Sequence, residues 1–361
     1  MKRVLFIFAI VFVAVGGLML NSCTKEGPQG PAGVNASATC QQCHNFADTI
    51  VAKIFQYDAS RHATGSTAFE GTNKSCAPCH SSQGFEEVVA TNADTTAFGI
   101  DNAAPINCRT CHKIHDTYTS SDWAFKTTAA FNPRYDKTVS IDLAAAGGTS
   151  NLCARCHQAR KASPWLGNPT SNVDSLKISS NRWGPHHGTQ GLILAGKGAF
   201  EIGATAFGSS GHRDVASCSS CHSAYAHGNI AGGHSLMMSN IELATSTNPN
   251  GDNIGTATSG CLKCHSTIAN FDYNDRQTEI EGKYSELRLK LAIANVIDTT
   301  GTSILLKGVS LTSPKYFKQK QLAVYWNFCL VDADRSMGVH NYAYTRDMLD
   351  AGIAYMNSLG K

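Results

Sequence analysis

The sequence predicts a mostly α-helical fold with extensive irregular loops and a C-terminal helical segment. Three observations lead there. The pattern Cys-x-x-Cys-His occurs six times, at Cys40, Cys43 and His44; Cys76, Cys79 and His80; Cys108, Cys111 and His112; Cys153, Cys156 and His157; Cys218, Cys221 and His222; and Cys261, Cys264 and His265. Between these copies the chain is rich in Gly, Ser, Thr, Asn and Ala, and long amphipathic patterns are scarce. Beyond residue 265 the pattern stops and apolar residues recur at helical spacing.

Each copy reads as a covalent c-type haem site. Two thiols three residues apart can both add to the haem vinyl groups, and the adjoining His then lies under the macrocycle to bind the iron. With 14 Cys and 14 His in 361 residues, random placement would give roughly 0.02 such motifs. A zinc knuckle or redox dithiol is the bland reading of one CxxC, but six copies each followed by His leave it little room. The expected cofactor is six haem c, and these large flat groups would replace an ordinary core. The fold expected is therefore that of a multihaem cytochrome c wrapped around a haem chain.

The first cysteines stand at 40, 76, 108, 153, 218 and 261, intervals too irregular for a tandem array of one module. A hexahaem domain is expected over residues 39–265, and little β-sheet is expected within it. In the segment 266–361, Ile280, Tyr284, Leu287, Leu291 and Ala294 recur at spacings of three and four, which predicts a helix over about 275–296, with Asn274 and Gln277 resembling a capping box. A second helix is predicted over about 315–331. A third, over about 341–358, carries Tyr344, Met348, Leu349, Ile353 and Met356 on its apolar side. These helices are expected to pack on the haem domain as a buttress.

Formal net charge is +3 and charged residues make up 16% of the chain, so no basic face argues for nucleic acid as a partner. Twelve of the 14 cysteines belong to the motifs, which leaves Cys23 and Cys329. Cys329 lies in an apolar run and is expected to be a small buried hydrophobe without a function. Lys2-Arg3, an apolar stretch from Val4 to Met19 and then Leu20-Asn21-Ser22-Cys23 read as a secretory signal. The stretch falls short of the ~20 residues a membrane span needs.

The end of that signal resembles a lipobox. The resemblance implies a signal peptide over 1–22, a lipid on Cys23, and a protein exported and lipid-anchored at the outer membrane, on its periplasmic or cell-surface face. Residues 23–38, with Gly27, Gly30 and Gly33 at every third position, are expected to be a flexible Gly/Pro tether. Similar runs after a lipobox occur in surface lipoproteins of some Gram-negative bacteria. Export agrees with the motifs, because the cytochrome resemblance implies haem attachment outside the cytoplasmic membrane.

Six histidines are proximal ligands, leaving His62, His115, His186, His187, His212, His227, His234 and His340 for six distal positions. A haem with His on both sides passes electrons, whereas one lacking the second ligand can bind a substrate. The supply is enough to close every haem. His115, three residues beyond His112, is expected on a short helix with both imidazoles to one side, so that it serves an adjacent haem. This CxxCHxxH arrangement resembles one in multihaem cytochromes with near-parallel stacked haem pairs. His62 has no competitor between the first two motifs. His212 and His234 bracket the fifth motif and look like distal ligands of multihaem cytochromes, with His227 the alternate. Of the adjacent His186 and His187, resemblance favours His186, with His187 nearly as good.

His340, in Gly338-Val339-His340-Asn341, resembles the element that opens the final helix in the pentahaem nitrite reductase and hydroxylamine oxidoreductase superfamily, where that His ligates a haem. The nitrite reductases also carry a Cys-x-x-Cys-Lys catalytic site, and no such motif is present here.

The function expected is electron transfer through six haems, all bis-His, with no catalytic residues and low potentials relative to Met/His cytochromes. The expected partners are other redox proteins or an extracellular electron acceptor such as a metal oxide. A second reading is a multihaem reductase or oxidase of a small nitrogen or sulfur species, betrayed by one five-coordinate haem. A third is a homo-polymer, the subunit of an extracellular cytochrome filament.

Overall fold

A computed structural model describes residues 48–361 apart from 204–205, 227, 230, 239–259, 269 and 302. The first motif (Cys40, Cys43, His44), Cys23 and His227 therefore lie outside the described residues. The described chain is mostly helical, with two small two-stranded sheets and long connecting loops.

The apolar core is built around one long, mostly buried helix. Helix α1 (Asp48–Asp58), α2 (Ala77–His80), α3 (Ser82–Thr91), α4 (Cys108–Cys111), α5 (Ala145–Ala154), α6 (Gln190–Ala195), α7 (His212–Val215) and α8 (Cys218–His222) are short, and α9 (Arg276–Ile293), α10 (Gln319–Asp334) and α11 (Tyr342–Ser358) are long. Helix α10 is apolar on every side and is buried from Leu322 to Phe328, as a central helix must be. Trp326 at its middle is fully buried, with Trp165 at 5.1 Å, Phe200 at 5.7 Å and Trp183 at 6.0 Å between ring centres. Its Nε1 donates to the Gly198 carbonyl at 2.8 Å. Asn327 is buried without penalty because it accepts from Phe200 N and donates to Phe200 O, both at 2.8 Å.

Helices α9 and α11 pack on α10 and on each other. Ile280, Leu287 and Leu291 of α9 and Tyr344, Met348, Leu349 and Met356 of α11 are buried, and Tyr284 stacks on Phe328 at 4.7 Å. The same apolar cluster extends through residues 131–202, including Tyr135, Ile141, Leu143, Trp183 and Ile193.

Two local expectations are corrected. Residues Lys315–Lys318 form strand β4, paired antiparallel with β1 (Ser175–Ile178), Ser175 opposite Lys318 and Ile178 opposite Lys315. Lys-Tyr-Phe-Lys alternates with only Phe317 buried, a period of two that keeps these residues out of the helix that follows. At the start of α9, Asn274 and Asp275 have left-handed φ of 56° and 57° and give no capping box. Asp272 caps instead, its Oδ1 accepting from Gln277 N at 2.7 Å and Thr278 N at 3.3 Å. A second antiparallel pair, a small hairpin, joins β2 (Ile297–Asp298) to β3 (Leu305–Leu306). No helix among the described residues is long and apolar enough to cross a membrane.

Candidate haem-ligation sites

The five described motifs fold alike. Each is a single helical turn in which the His amide donates to the carbonyl of the motif's first Cys, for example His157 N to Cys153 O at 3.0 Å and His265 N to Cys261 O at 2.8 Å. Polar residues ahead of the turn cap it where the sequence supplies them. Asn107 and Thr110 close a reciprocal box before Cys108, and Ser217 and Ser220 do the same before Cys218. None of the described motif cysteines is joined in a disulfide.

The turns also touch one another. Cys79 and Cys156 lie close together, and each thiol reaches a carbonyl of the other's turn, Cys79 Sγ to Arg155 O at 3.9 Å and Cys156 Sγ to Pro78 O at 3.7 Å. Cys153 lies close to Cys218, and Cys218 N donates to Ser150 Oγ at 3.0 Å. Cys111 of the third motif lies within electrostatic reach of both Cys153 and Cys156. Between the fifth and sixth motifs the backbones meet at Gly260, where an added Cβ would fall 2.4 Å from Ser220 O. Only glycine permits that approach.

The histidines come in facing pairs. Ring centres lie 6.2 Å apart for His62 and His157, 6.3 Å for His80 and His186, 6.3 Å for His112 and His234, 6.2 Å for His222 and His340, and 6.0 Å for His212 and His265. Each pair joins one motif His to one distal candidate. Metal–imidazole bonds of about 2 Å on each side, plus half a ring each, put the centres of a trans pair about 6 Å apart, so these residues fit a haem iron between them. By contrast, no three His, Cys, Asp or Glu side chains among the described residues converge as a zinc cage requires.

Hydrogen bonds orient the rings for that role. His112 Nδ1 donates to Trp123 O at 2.6 Å, His157 Nδ1 to Gln190 Oε1 at 3.0 Å, His212 Nδ1 to Val339 O at 2.7 Å, His222 Nδ1 to Leu236 O at 3.0 Å and His340 Nδ1 to Asp334 Oδ1 at 2.6 Å. An acceptor at Nδ1 fixes the tautomer and leaves Nε2 free for a metal. His234 Nδ1 is buried without a hydrogen-bond partner among the described residues. Burial pushes His62 down to about 4 and also lowers His157, His222 and His234, which keeps these imidazoles neutral, as ligands must be. Burial pulls on His340 in the same direction, but the Asp334 carboxylate reverses it and the net shift is upward.

The pairing departs from sequence order. His212 and His234, which flank the fifth motif, face the sixth and third, while His340 faces the fifth. His187 sits beside His186 at 5.3 Å and faces no motif His among the ring contacts. Residues 112–115 are not helical, since His112 is extended and His115 is left-handed at φ 66°. The expected helix after the third motif is corrected to a turn, in which His115 stacks on Tyr118 at 5.3 Å.

Two supporting residues have no motif to announce them. Gln190 of α6 holds His157, and its Nε2 donates to Ala333 O at 2.9 Å. Gly191 lets α6 come this close, because a Cβ there would fall 2.6 Å from Ala154 Cβ. The other is Asp334, the last residue of α10 and 3% exposed. Its one sequence signal is an acid at the end of a helix whose middle is an apolar run.

No family model and no curated protein matches this chain. Among solved structures it is similar to the outer cell wall cytochrome OcwA, with 18% sequence identity, a TM-score of 0.48, and an alignment covering 84% of this chain and 50% of that one. The chain thus spans about half the length of that protein.

Proposed function

We propose that this chain is an exported electron carrier, with six c haems each held between two imidazoles and a lipid anchor at Cys23. The observation that carries the reading is the set of five His pairs, each 6.0–6.3 Å between ring centres, that join a CxxCH histidine to a second imidazole. An iron closed on both faces exchanges electrons with its surroundings and offers no site to a substrate. For the sixth iron His115 is the proposed distal ligand, with His187 and His227 as alternates.

The contacts between motif turns support a branched route. The second motif adjoins the fourth through Cys79 and Cys156, the fourth adjoins the fifth through Cys153 and Cys218, and the fifth adjoins the sixth at Gly260. The third approaches the fourth through Cys111. Electrons entering at one end thus have more than one exit, toward partner redox proteins or an extracellular acceptor such as a metal oxide.

Low-temperature EPR of the oxidised protein tests the reading by counting irons. Six low-spin centres that ignore nitrite, hydroxylamine and cyanide are expected. A high-spin ferric signal that responds to any of them would sink the carrier and make the protein a reductase or oxidase.

A further inference from the structure

Five of the paired rings are held at Nδ1, and four of the five acceptors are neutral: the carbonyls of Trp123, Val339 and Leu236 and the amide of Gln190. The fifth acceptor is a carboxylate. Asp334 Oδ1 takes the His340 Nδ1 proton bond at 2.6 Å, its side chain 1% exposed, and no lysine or arginine forms an ion pair with it among the described residues. Its Oδ2 accepts from Ser336 Oγ and, at 3.3 Å, from Ser336 N.

The backbone is arranged to deliver that carboxylate. Helix α10 ends at Asp334, Arg335 and Met337 are left-handed at φ 59° and 44°, and Gly338 follows at φ 93°. This tight turn carries His340 back beside the helix end, and Asn341 then caps α11, its Oδ1 accepting from Tyr344 N at 3.3 Å. His222, across from His340, is itself held by Leu236 O at 3.0 Å, so both rings of the pair are fixed at Nδ1.

We propose that Asp334, acting through His340, makes the iron position between His222 and His340 the hardest to reduce of the five described. A buried anion on the far nitrogen raises the electron-donating power of the imidazole and favours the ferric state, whereas a carbonyl or amide does so weakly. Asp334 is a positioning and tuning residue, since it reaches the metal only through His340. The inference rests on the bis-His reading above. Because the fifth motif lies between the fourth and the sixth, Asp334 sets an uphill step in the interior of the route, which slows transit between its ends unless both neighbours are reduced.

The test is an EPR-monitored redox titration of the haem-loaded protein, with dithionite as reductant, on wild type, Asp334→Asn, Ser336→Ala and His340→Ala. His340→Ala identifies the signal of this centre by removing it from the low-spin set. Were wild type all low-spin and His340→Ala to lose no low-spin centre, the bis-His reading itself would fail. In wild type the identified signal is expected to be the last of the five described centres to be reduced. Asp334→Asn is expected to shift its one-electron equilibrium toward the reduced form by at least tenfold, which is about 59 mV, with every other signal moving less than threefold. Ser336→Ala removes a competing donor from the carboxylate and is expected to shift the same signal the opposite way. The proposal is overturned if another described centre is reduced later, if the signal stays put in Asp334→Asn, or if that variant turns the centre high-spin, since the carboxylate would then merely hold the ring.

Discussion

The segments that carry most motifs and the segments that carry the apolar core hold their shape by different means. The large buried cluster runs from Phe131 to Met356 but takes none of its fully buried members from residues 48–130 or 206–265. In those segments buried side chains other than Phe85 are small or polar, such as Ala77, Ser81, Ser82, Thr110, Asp122, Ser217 and Ser235, and turns are closed by side-chain caps on backbone amides. The C-terminal helices gain stability from apolar area removed from water. The motif-bearing loops have little such area of their own, and what they do have is pairs of imidazoles spaced for an iron. One part of the molecule is thus a self-sufficient protein core, and the other is a casing that, on the proposed function, would take its core from the haems.

The largest effect that comparison predicts is regional. In chain produced without haem attachment, hydrogen exchange is expected to stay slow in α9, α10 and α11, with protection of about a thousandfold or more, while amides of 76–123 and 212–236 exchange as an unfolded chain does. Equal loss of protection in both regions would break the comparison. Within the apolar region, Trp326→Ala removes a fully buried side chain that touches Trp165, Trp183 and Phe200. Urea unfolding is expected to register a loss of about 3–5 kcal/mol, and a loss below about 1 kcal/mol would mean that the cluster is not the stabilising centre of the fold.

The motif-bearing region is instead broken one iron at a time. On the proposed bis-His ligation, His186→Ala is expected to convert one low-spin haem to high-spin in the optical spectrum, because His186 faces His80 at 6.3 Å, and His187→Ala is expected to leave the spectrum unchanged. The reverse pattern would assign the ligand to His187. A finer distinction follows from ring planes, which cross at 85° for His212 and His265 but at 27° for His112 and His234 and 32° for His222 and His340. Crossed imidazole planes leave the iron orbitals nearly degenerate, so the first pair is expected to give a highly anisotropic low-spin EPR signal and the other two ordinary rhombic ones. His212→Ala is expected to delete the anisotropic signal alone.

How much of this was legible in the sequence follows the same divide. Helices α9 and α11 are legible because a buried face imposes a 3.6-residue period on Ile280, Leu287, Leu291, Met348 and Met356. Helix α10 is legible as an apolar run, but its start is not, because β4 is defined by a partner, β1, that lies far away in the chain. The thiols and their adjoining His are legible since the chemistry of attachment is local. The distal partners are not, because every described pair joins residues brought together only by the tertiary fold, as with His62 and His157 or His340 and His222. Position next to a motif misleads, as His234 illustrates, and the carbonyls and side chains that hold the rings, Gln190 and Asp334 among them, carry no spacing signal at all.

The smallest effect concerns the loop after the third motif, where a polar residue does what apolar packing does elsewhere. Asp122, 3% exposed, accepts four hydrogen bonds, from His115 N at 2.8 Å, Thr117 N at 2.8 Å, Thr117 Oγ1 at 2.6 Å and Tyr118 N at 3.0 Å. These hold His115 and Tyr118 in left-handed conformations, φ 66° and 58°, that the chain would otherwise resist. Burial raises the Asp122 carboxyl, but the bonds donated by Thr117, Tyr118 and His115 outweigh it and hold the group below its ordinary value of 3.8. A carboxyl depressed in the folded state stabilises fully above its unfolded pKa and loses that contribution as pH falls through the folded one. The loop is therefore expected to keep its exchange protection at all pH values above about 3.8 and to release it only in stronger acid. Asp122→Asn replaces one acceptor oxygen by a donor facing backbone N–H groups, so amides of 115–118 are expected to exchange about tenfold faster at neutral pH, with the acid-dependent step gone. A loop whose protection follows the apolar core in acid, rather than Asp122, would show that packing and not this carboxylate shapes the turn carrying His115.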